Sequence, residues 1–261
     1  MRRGVGRAAA PAVAILLAAC GPPGRPALPS GSGTPFPGFA AAYEQAIQDC
    51  RTINSITAEL ALSGRTAGTK LRGRINAGFA APDDIVLEGV APFGRPAFVL
   101  FGRGGEATLW LPRDERVLRG APPAAIVEAL AGVALTPAEL RAAIAGCGTG
   151  VTNPSGGRTL NNDWALLDSA AGSVYLRRVN GRWRIAATVR DSLTVQYADF
   201  SDGRAITVYV RTVPADLTLR LSQVEINTPI DPRAFAVEVP SDARPLTLEE
   251  LRRAGPLGEK T

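Results

Sequence analysis

Two long series of alternating apolar and polar residues most constrain what this chain can fold into. A period of two places successive side chains on opposite faces of a strand. Short breaks, of which Asn180-Gly181 and Asp202-Gly203 are the strongest hairpin signals, predict consecutive antiparallel neighbours. The sequence therefore predicts a mainly β fold of the α+β class with about eleven or twelve strands. The alternating segments are 55–65, 70–79, 84–91, 95–102, 106–112 and 116–120, then 164–168, 173–179, 182–190, 192–200, 205–212 and 216–228.

Helical periodicity appears before and between these series. Residues 39–51 carry one apolar stripe, and Pro122-Pro123 opens a second helix. A third helix has Thr136 as N-cap, Pro137 at its first position and Glu139 in the capping-box position. A weaker candidate covers 247–253. Because an open sheet of this size must curl or close, the two middle helices are the obvious cover for its concave apolar face.

The first twenty residues indicate export and anchoring. Three arginines precede a short apolar run that ends in small residues and Cys20, which is typical of a secretory signal peptide and too short to span a bilayer. The segment Leu17–Cys20 resembles the lipobox of bacterial lipoproteins, which implies that Cys20 is lipidated and becomes the N-terminus. An ordinary signal peptide with a chance cysteine is the alternative. The residue after Cys20 is Gly21, whereas an aspartate at this position would resemble an inner-membrane retention signal. We therefore expect the protein to be anchored at the periplasmic face of the outer membrane.

Composition shifts divide the chain into four parts. The predicted signal peptide covers 1–19, and the anchored cysteine with a segment rich in proline, glycine and serine covers 20–38. We interpret that segment as a tether, which at about 3.1 Å per residue would hold the domain up to about 50 Å from its anchor. The folded domain covers 39–240, and a loosely held C-terminal tail covers 241–261.

The composition excludes several classes of function. Histidine is absent, which removes Ser-His-Asp and Cys-His catalysis and histidine-ligated zinc. The formal charge of +5 falls to about +2 without the three signal-peptide arginines. This positive charge is too weak to indicate binding of nucleic acid. The adjacent carboxylates Asp83-Asp84 and Glu249-Glu250 are typical of a turn and a helix start. We therefore expect a monomer that is not an enzyme and needs no cofactor or metal.

Cys50 and Cys147 remain after Cys20. An even pair in an oxidising compartment indicates a disulfide, and both residues lie on the apolar stripes of predicted helices. We predict that these helices pack together and are bridged. Two separate buried thiols are the alternative.

The order of the elements, with the segments Leu87–Gly94, Leu135–Cys147 and Ile226–Phe235, resembles the LolA/LolB-like fold family over roughly residues 40–240. The likeness is greatest to LolB-like outer-membrane lipoproteins and related lipoproteins with a domain of unknown function. The resemblance implies a curved antiparallel half-barrel of about eleven strands with a helical lid over an apolar cavity. It also implies acyl chains of lipoproteins or lipids as ligands, and a soluble periplasmic lipoprotein carrier as a partner.

The resemblance also suggests site residues. Phe93 matches the turn whose exposed apolar residue touches the membrane in the LolB-like pattern, although folding back onto the sheet is the alternative. Arg65 and Arg74 are candidates for holding a polar head or the lid, and Arg95 for meeting anionic lipid. The expected cavity residues are Ile85, Leu87, Phe98, Leu100, Leu109, Trp110, Leu111, Ile126, Leu130, Leu140 and Ile144.

The sequence thus predicts an outer-membrane-anchored lipoprotein that binds acyl chains and receives or inserts lipoproteins at the outer membrane. Two alternatives stay open. One is an envelope lipoprotein that binds phospholipid or glycolipid, and the other is a structural lipoprotein with a filled cavity that docks onto an envelope assembly.

Overall fold

The computed structural model describes residues 25–91 and 93–256. The predicted signal peptide at 1–19 and the predicted lipidation site Cys20 lie outside the described residues. Within the described ranges, no helix combines the length and apolar character needed to cross a bilayer.

One sheet, four α-helices and two short 3-10 helices form the regular structure of the described residues. The helices are α1 (Phe39–Ile47), α2 (Pro123–Ala131), α3 (Pro137–Ile144) and α4 (Leu248–Ala254). The strands are β1 (Thr34–Pro35), β2 (Ser55–Thr66), β3 (Thr69–Ala80), β4 (Asp84–Val90), β5 (Phe98–Arg103), β6 (Glu106–Leu111), β7 (Arg116–Ala121), β8 (Gly156–Asn161), β9 (Trp164–Ser169), β10 (Gly172–Val179), β11 (Arg182–Arg190), β12 (Leu193–Ser201), β13 (Arg204–Arg211), β14 (Ala215–Ile226) and β15 (Arg244–Pro245).

The sheet is open and almost wholly antiparallel. Its order is β1-β8-β9-β10-β11-β12-β13-β14-β2-β3-β4-β5-β6-β7-β15, so the two meanders join where β14 pairs with β2. Only β15 runs parallel to its neighbour, β7, among the described strands. Both edge strands are two residues long, which leaves little exposed backbone for pairing with another chain.

The mainly β prediction is confirmed, but the sheet has fifteen strands where about eleven were expected. All twelve alternating segments form strands. The additional strands are β1, β8 and β15. The two-residue strands are too short to show a period, and β8 begins with Gly156-Gly157, which carry no side chains that could alternate. Tertiary pairing rather than local pattern makes these segments strands.

One core cluster occupies the inner face of the sheet. Inward side chains from β6 and from β10, which lie far apart in the strand order, belong to the same cluster, so the sheet curves around it. Helix α1 contributes Ala42, Tyr43 and Ala46 to this core, and α2 contributes Ile126. The helices therefore lie against the concave face, as the predicted half-barrel with a helical lid requires.

Residues 25–26 and 34–36 contact the domain, although a free tether was expected from the composition of 20–38. The Arg25 guanidinium pairs with Asp216 and lies 5.2 Å from the centre of the Tyr209 ring. The Pro26 carbonyl accepts a hydrogen bond of 2.6 Å from the buried Gln196 amide. The segment then pairs with β8 through β1. Extended backbone rich in proline suits this course, because it needs few hydrogen bonds of its own.

The C-terminal segment is also packed, although a loosely held tail was expected. β15 extends the sheet beside β7, and α4 contacts α2 with Leu251 only 2% exposed. Thr247 and Glu250 form both halves of a capping box. Hydrogen bonds from the Thr247 backbone and from Arg116 lower the pKa of Glu250 to about 2. Residues 244–254 therefore belong to the folded domain.

The predicted disulfide is present in the structure, with Cys50 and Cys147 Cα atoms 5.7 Å apart. The cysteines lie just beyond the helices and not on their stripes. Cys50 is in a 3-10 turn after α1, and α3 ends at Ile144 because Gly146 takes a positive φ of 79°. The bridge thus ties the end of α1 to the end of α3.

We predict that removing the bridge destabilises the fold strongly. Because the cysteines are 97 positions apart in the sequence, Cys50→Ser/Cys147→Ser should lower the free energy of unfolding by about 4–5 kcal/mol in the chain-entropy model. Urea unfolding measures this, with Cys20→Ser as a control that should leave the curve unchanged. A loss below about 1 kcal/mol would mean that the bridge does not constrain the unfolded chain.

Candidate functional site

The concave face holds an apolar cavity of about 240 Å³ between the sheet and two helices. Its floor consists of inward side chains of β2, β3, β4, β5, β13 and β14. Its roof consists of α2, α3 and the segment that joins them. Side chains do not fill this cavity. The alternative of a structural lipoprotein would require a filled one.

The wall is built from aliphatic and aromatic side chains, and Arg72 and Arg74 are its charged residues. Both arginines are exposed, and Arg74 pairs with Glu59 at 3.0 Å. A space of this kind offers a ligand almost no hydrogen bonds, so any binding energy must come mainly from apolar burial.

Two glycines shape the space beneath the lid. A Cβ atom at Gly73 would meet no other atom within 4 Å, so the missing side chain leaves open volume. At Gly89 the space is occupied, because a Cβ atom there would lie 2.5 Å from the Phe98 ring. Gly73 therefore keeps the cavity open, whereas Gly89 admits the ring that forms part of its wall.

The cavity opens near one end of the sheet. Arg72, Gly73, Arg74 and Val90 belong to its wall and are exposed to solvent. The register of β3 with β4 begins at the pair Arg74–Val90, so the first residues of β3 extend beyond β4. This step in the sheet leaves a mouth between the β2–β3 hairpin and the turn that follows β4.

Five of the eleven predicted cavity residues lie on the wall: Leu87, Phe98, Leu130, Leu140 and Ile144. Five others, namely Ile85, Leu100, Leu109, Leu111 and Ile126, point into the same core but are closely packed away from the cavity. Trp110 lies on the opposite face, because its neighbours in β6 on both sides point inward. Contact of any of these residues with a ligand stays a prediction.

Four of the six floor strands carried no predicted cavity residue. Strands β2, β3, β13 and β14 supply wall residues such as Leu62, Leu71, Ile75 and Leu219. Their alternation was visible, but only the pairing of β14 with β2 shows that they share one wall. Of the predicted arginines, Arg74 is at the mouth, whereas Arg65 and Arg95 are exposed outside the cavity wall.

Helix α3 is fastened at both ends. At its start, the predicted capping box of Thr136 and Glu139 is confirmed, and Glu139 also accepts a 2.9 Å hydrogen bond from Arg190 of β11. After its end, the disulfide follows, and the Gly148 amide donates to the Tyr197 hydroxyl at 2.9 Å. This half of the lid is therefore tied to the sheet.

Helix α2 is held only by non-covalent contacts. Glu128 pairs with Arg252 of α4 at 3.5 Å across an exposed surface, where such pairs contribute little. The Thr212 hydroxyl donates to the Gly132 carbonyl at 3.2 Å just after α2. Any opening of the lid should thus begin at α2 rather than at α3.

Phe93 is 90% exposed in the turn between β4 and β5. Its neighbour Pro92 lies outside the described residues. The exposure rules out the alternative in which Phe93 folds back onto the sheet. Contact of Phe93 with a membrane stays a prediction.

We predict a pH dependence from the fastening of α3. Burial raises the pKa of Glu139, but hydrogen bonds from Thr136 and Arg190 outweigh it and bring the pKa below its ordinary value of 4.5. A carboxyl group whose pKa is lowered by folding stabilises the fold fully at pH values above its unfolded-state pKa. This contribution is lost as the pH falls through the folded-state pKa. Glu139→Gln should therefore destabilise the protein at neutral pH, and the difference should shrink below about pH 4.5. Thermal unfolding across pH measures it, with the exposed Glu106→Gln as control. A difference that is constant with pH would contradict the assignment.

No family model matches the sequence, and no curated protein matches it. Solved structures with a similar fold exist. A domain assigned to outer membrane lipoprotein sorting from Vibrio parahaemolyticus is 12% identical with a TM-score of 0.48, over 75% of this chain and 96% of that one. A LolA superfamily protein from Nitrosomonas europaea is 12% identical with a TM-score of 0.46, over 74% and 94%. Lipoprotein LppX of Mycobacterium tuberculosis is 12% identical with a TM-score of 0.32, over 75% and 98%. The first two bear names of the group that the sequence motifs resemble.

Proposed function

We propose that this chain is an outer-membrane-anchored lipoprotein that binds acyl chains and receives or inserts lipoproteins at the outer membrane. The observation that carries the proposal is the unfilled apolar cavity with a mouth at one end of the sheet. A ligand that fits must be apolar along its buried part and can keep a polar head in water.

The cavity has room for part of one acyl chain. Its 240 Å³ exceeds a benzene-sized cavity of about 150 Å³ and lies below the range of about 300–1,000 Å³ found for drug-sized ligands. Each buried methylene contributes about 0.8 kcal/mol. A second or third chain would require α2 to move outward, because α3 is fixed at both ends.

Transfer needs no covalent chemistry. An acyl chain moves to this cavity from a soluble carrier when it meets better-fitting apolar surface here, and two methylenes bias the exchange more than about tenfold. Delivery follows when the exposed Phe93 enters the membrane and the lid opens.

A second candidate is a lipoprotein that binds phospholipid. Arg72 and Arg74 favour it, because both residues border the mouth while their side chains lie on the outer face, where the guanidinium group of Arg72 can pair with a phosphate outside the apolar cavity and Arg74 already pairs with Glu59. Native mass spectrometry of the mature chain with Cys20→Ser separates the two. Capture of a triacylated peptide alone supports lipoprotein handling, and capture of phospholipid alone supports the second candidate.

We predict that Gly73→Phe blocks ligand binding without unfolding the protein. The new ring would enter open volume in the cavity, since a Cβ atom there meets nothing within 4 Å. Binding of a fluorescent fatty acid should fall more than about tenfold, with the thermal midpoint retained. Gly156→Phe is the matched control, because its Cβ position is equally open but lies outside the cavity wall. Full binding by the Gly73 variant would show that the ligand sits elsewhere.

Phe93→Glu should leave acyl binding intact and impair delivery. Moving the phenyl ring into lipid contributes about 2–3 kcal/mol, and a carboxylate reverses that preference. Transfer of a bound acyl-peptide to vesicles measures it, with Phe93→Leu as the conservative control. Unchanged delivery by the glutamate variant would contradict the role of Phe93.

A further inference from the structure

The large apolar side chains that are exposed in the described residues all lie at one end of the sheet. They are Val90, 39% exposed, Phe93, 90% exposed, and Val213, 88% exposed. Val213 is in the turn between β13 and β14, and Phe93 is in the turn between β4 and β5. We call the end that carries turns 67–68, 91–97 and 212–214 the tip end.

The strand registers place these turns together. Ala215, which follows the Val213 turn, pairs with Thr66, and Thr66 pairs with Thr69 across the β2–β3 turn. Val90, which precedes the Phe93 turn, pairs with Arg74 five residues along β3. At about 3.3 Å per residue, the end of β4 is about 17 Å from the β2–β3 turn along β3, on the same side of the sheet.

The chain reaches the folded domain at this same end. Arg25 pairs with Asp216, the second residue of β14, beside the Val213 turn. Cys20 precedes Arg25 by five residues, a span of at most about 18 Å even when fully extended. A lipid on Cys20 would therefore hold the tip end close to the bilayer.

Positive charge surrounds the tips on the outer face. Arg65 and Lys70 are opposite each other on the neighbouring strands β2 and β3, and Arg72 follows two residues after Lys70 on the same face. None of these three side chains forms an ion pair with another described residue. The carboxylate nearest to them in register is Asp216, which is already paired with Arg25 and Arg211. The outer face of the tip end thus presents uncompensated cations beside two apolar tips.

We propose that the tip end is a docking surface for a bilayer with anionic headgroups, in which Val213 and Phe93 enter the interface while Arg65, Lys70 and Arg72 meet lipid phosphates. This inference rests on the proposed lipidation of Cys20 and deepens the proposed function. A membrane fits better than a protein partner, because two isolated protruding side chains form no groove that a protein could fill. The mouth at Gly73 and Arg74 lies at the same end, so a docked domain opens its cavity toward the bilayer.

The test uses the mature chain with Cys20→Ser, so that binding does not depend on the lipid anchor. Sedimentation is measured with vesicles of phosphatidylcholine and with vesicles of an equal mixture of phosphatidylcholine and phosphatidylglycerol. Val213→Asp should lower the partition coefficient on the mixed vesicles about tenfold. Arg65→Gln and Lys70→Gln should each lower it about fivefold, and added salt should weaken binding of the unsubstituted protein. Arg204→Gln, an exposed arginine at the opposite end of the sheet, is the matched control and should have no effect.

Binding that prefers the mixed vesicles and is lost on Val213→Asp supports the docking surface. Equal binding to both vesicles, no binding to either, or an Arg204→Gln effect as large as that of Arg65→Gln would overturn it. Gly73→Phe separates this result from the proposed function, because that variant should lose fatty-acid binding and still sediment with vesicles.

Discussion

The pairing of β14 with β2 is the constraint on which the rest of the structure depends. It joins two meanders, separated in sequence by the lid helices, through ten registered residue pairs. Gly64 permits the close approach at this seam, since a Cβ atom there would lie 2.2 Å from the Asp216 carbonyl oxygen. Without the seam, β13 and β14 would not share a wall with β3 and β4, and the cavity would not exist.

The lid follows from the same connection. Because the chain must cross from β7 at one side of the sheet to β8 at the other, α2 and α3 pass over the concave face between them. The disulfide, Arg190 and Tyr197 connect α3 to α1 and to the sheet, whereas α2 packs against α4. The unequal fastening gives the cavity one fixed and one yielding wall, which suits a site that must both hold and release an apolar chain.

The sequence predicted the local structure well because local rules decide it. Period-two alternation gives the twelve long strands, and Thr136 and Glu139 give the start of α3. The exposed Phe93 follows from a turn that leaves no core for its ring to enter. Most of the cavity wall was not predicted, because alternation identifies two faces but not the strands that become neighbours. Trp110 is a different kind of error, because alternation places it on the face opposite to Leu109 and Leu111, so the three residues could not all line the cavity.

The helix predicted at 247–253 is confirmed as α4, but the contacts that residues 25–26, 34–36 and 244–254 make with the domain were missed for a different reason. The composition of these segments offers little core, and all three are ordered by partners distant in sequence, such as Asp216 for Arg25 and Arg116 for Glu250. Their placement gives the domain a defined tip end and a support for α2. Neither consequence can be read from local pattern.

The central claim is that an acyl chain occupies the cavity beneath α2 and α3. Photo-crosslinking with a fatty acid that carries a diazirine at its chain end, followed by peptide mapping, tests it most directly. The account predicts adducts on inward residues of β3 and β14 and on α2, with Leu71, Leu219 and Val127 as the expected positions. Adducts confined to the outer face or to the turns at 91–97 and 212–214 would contradict it.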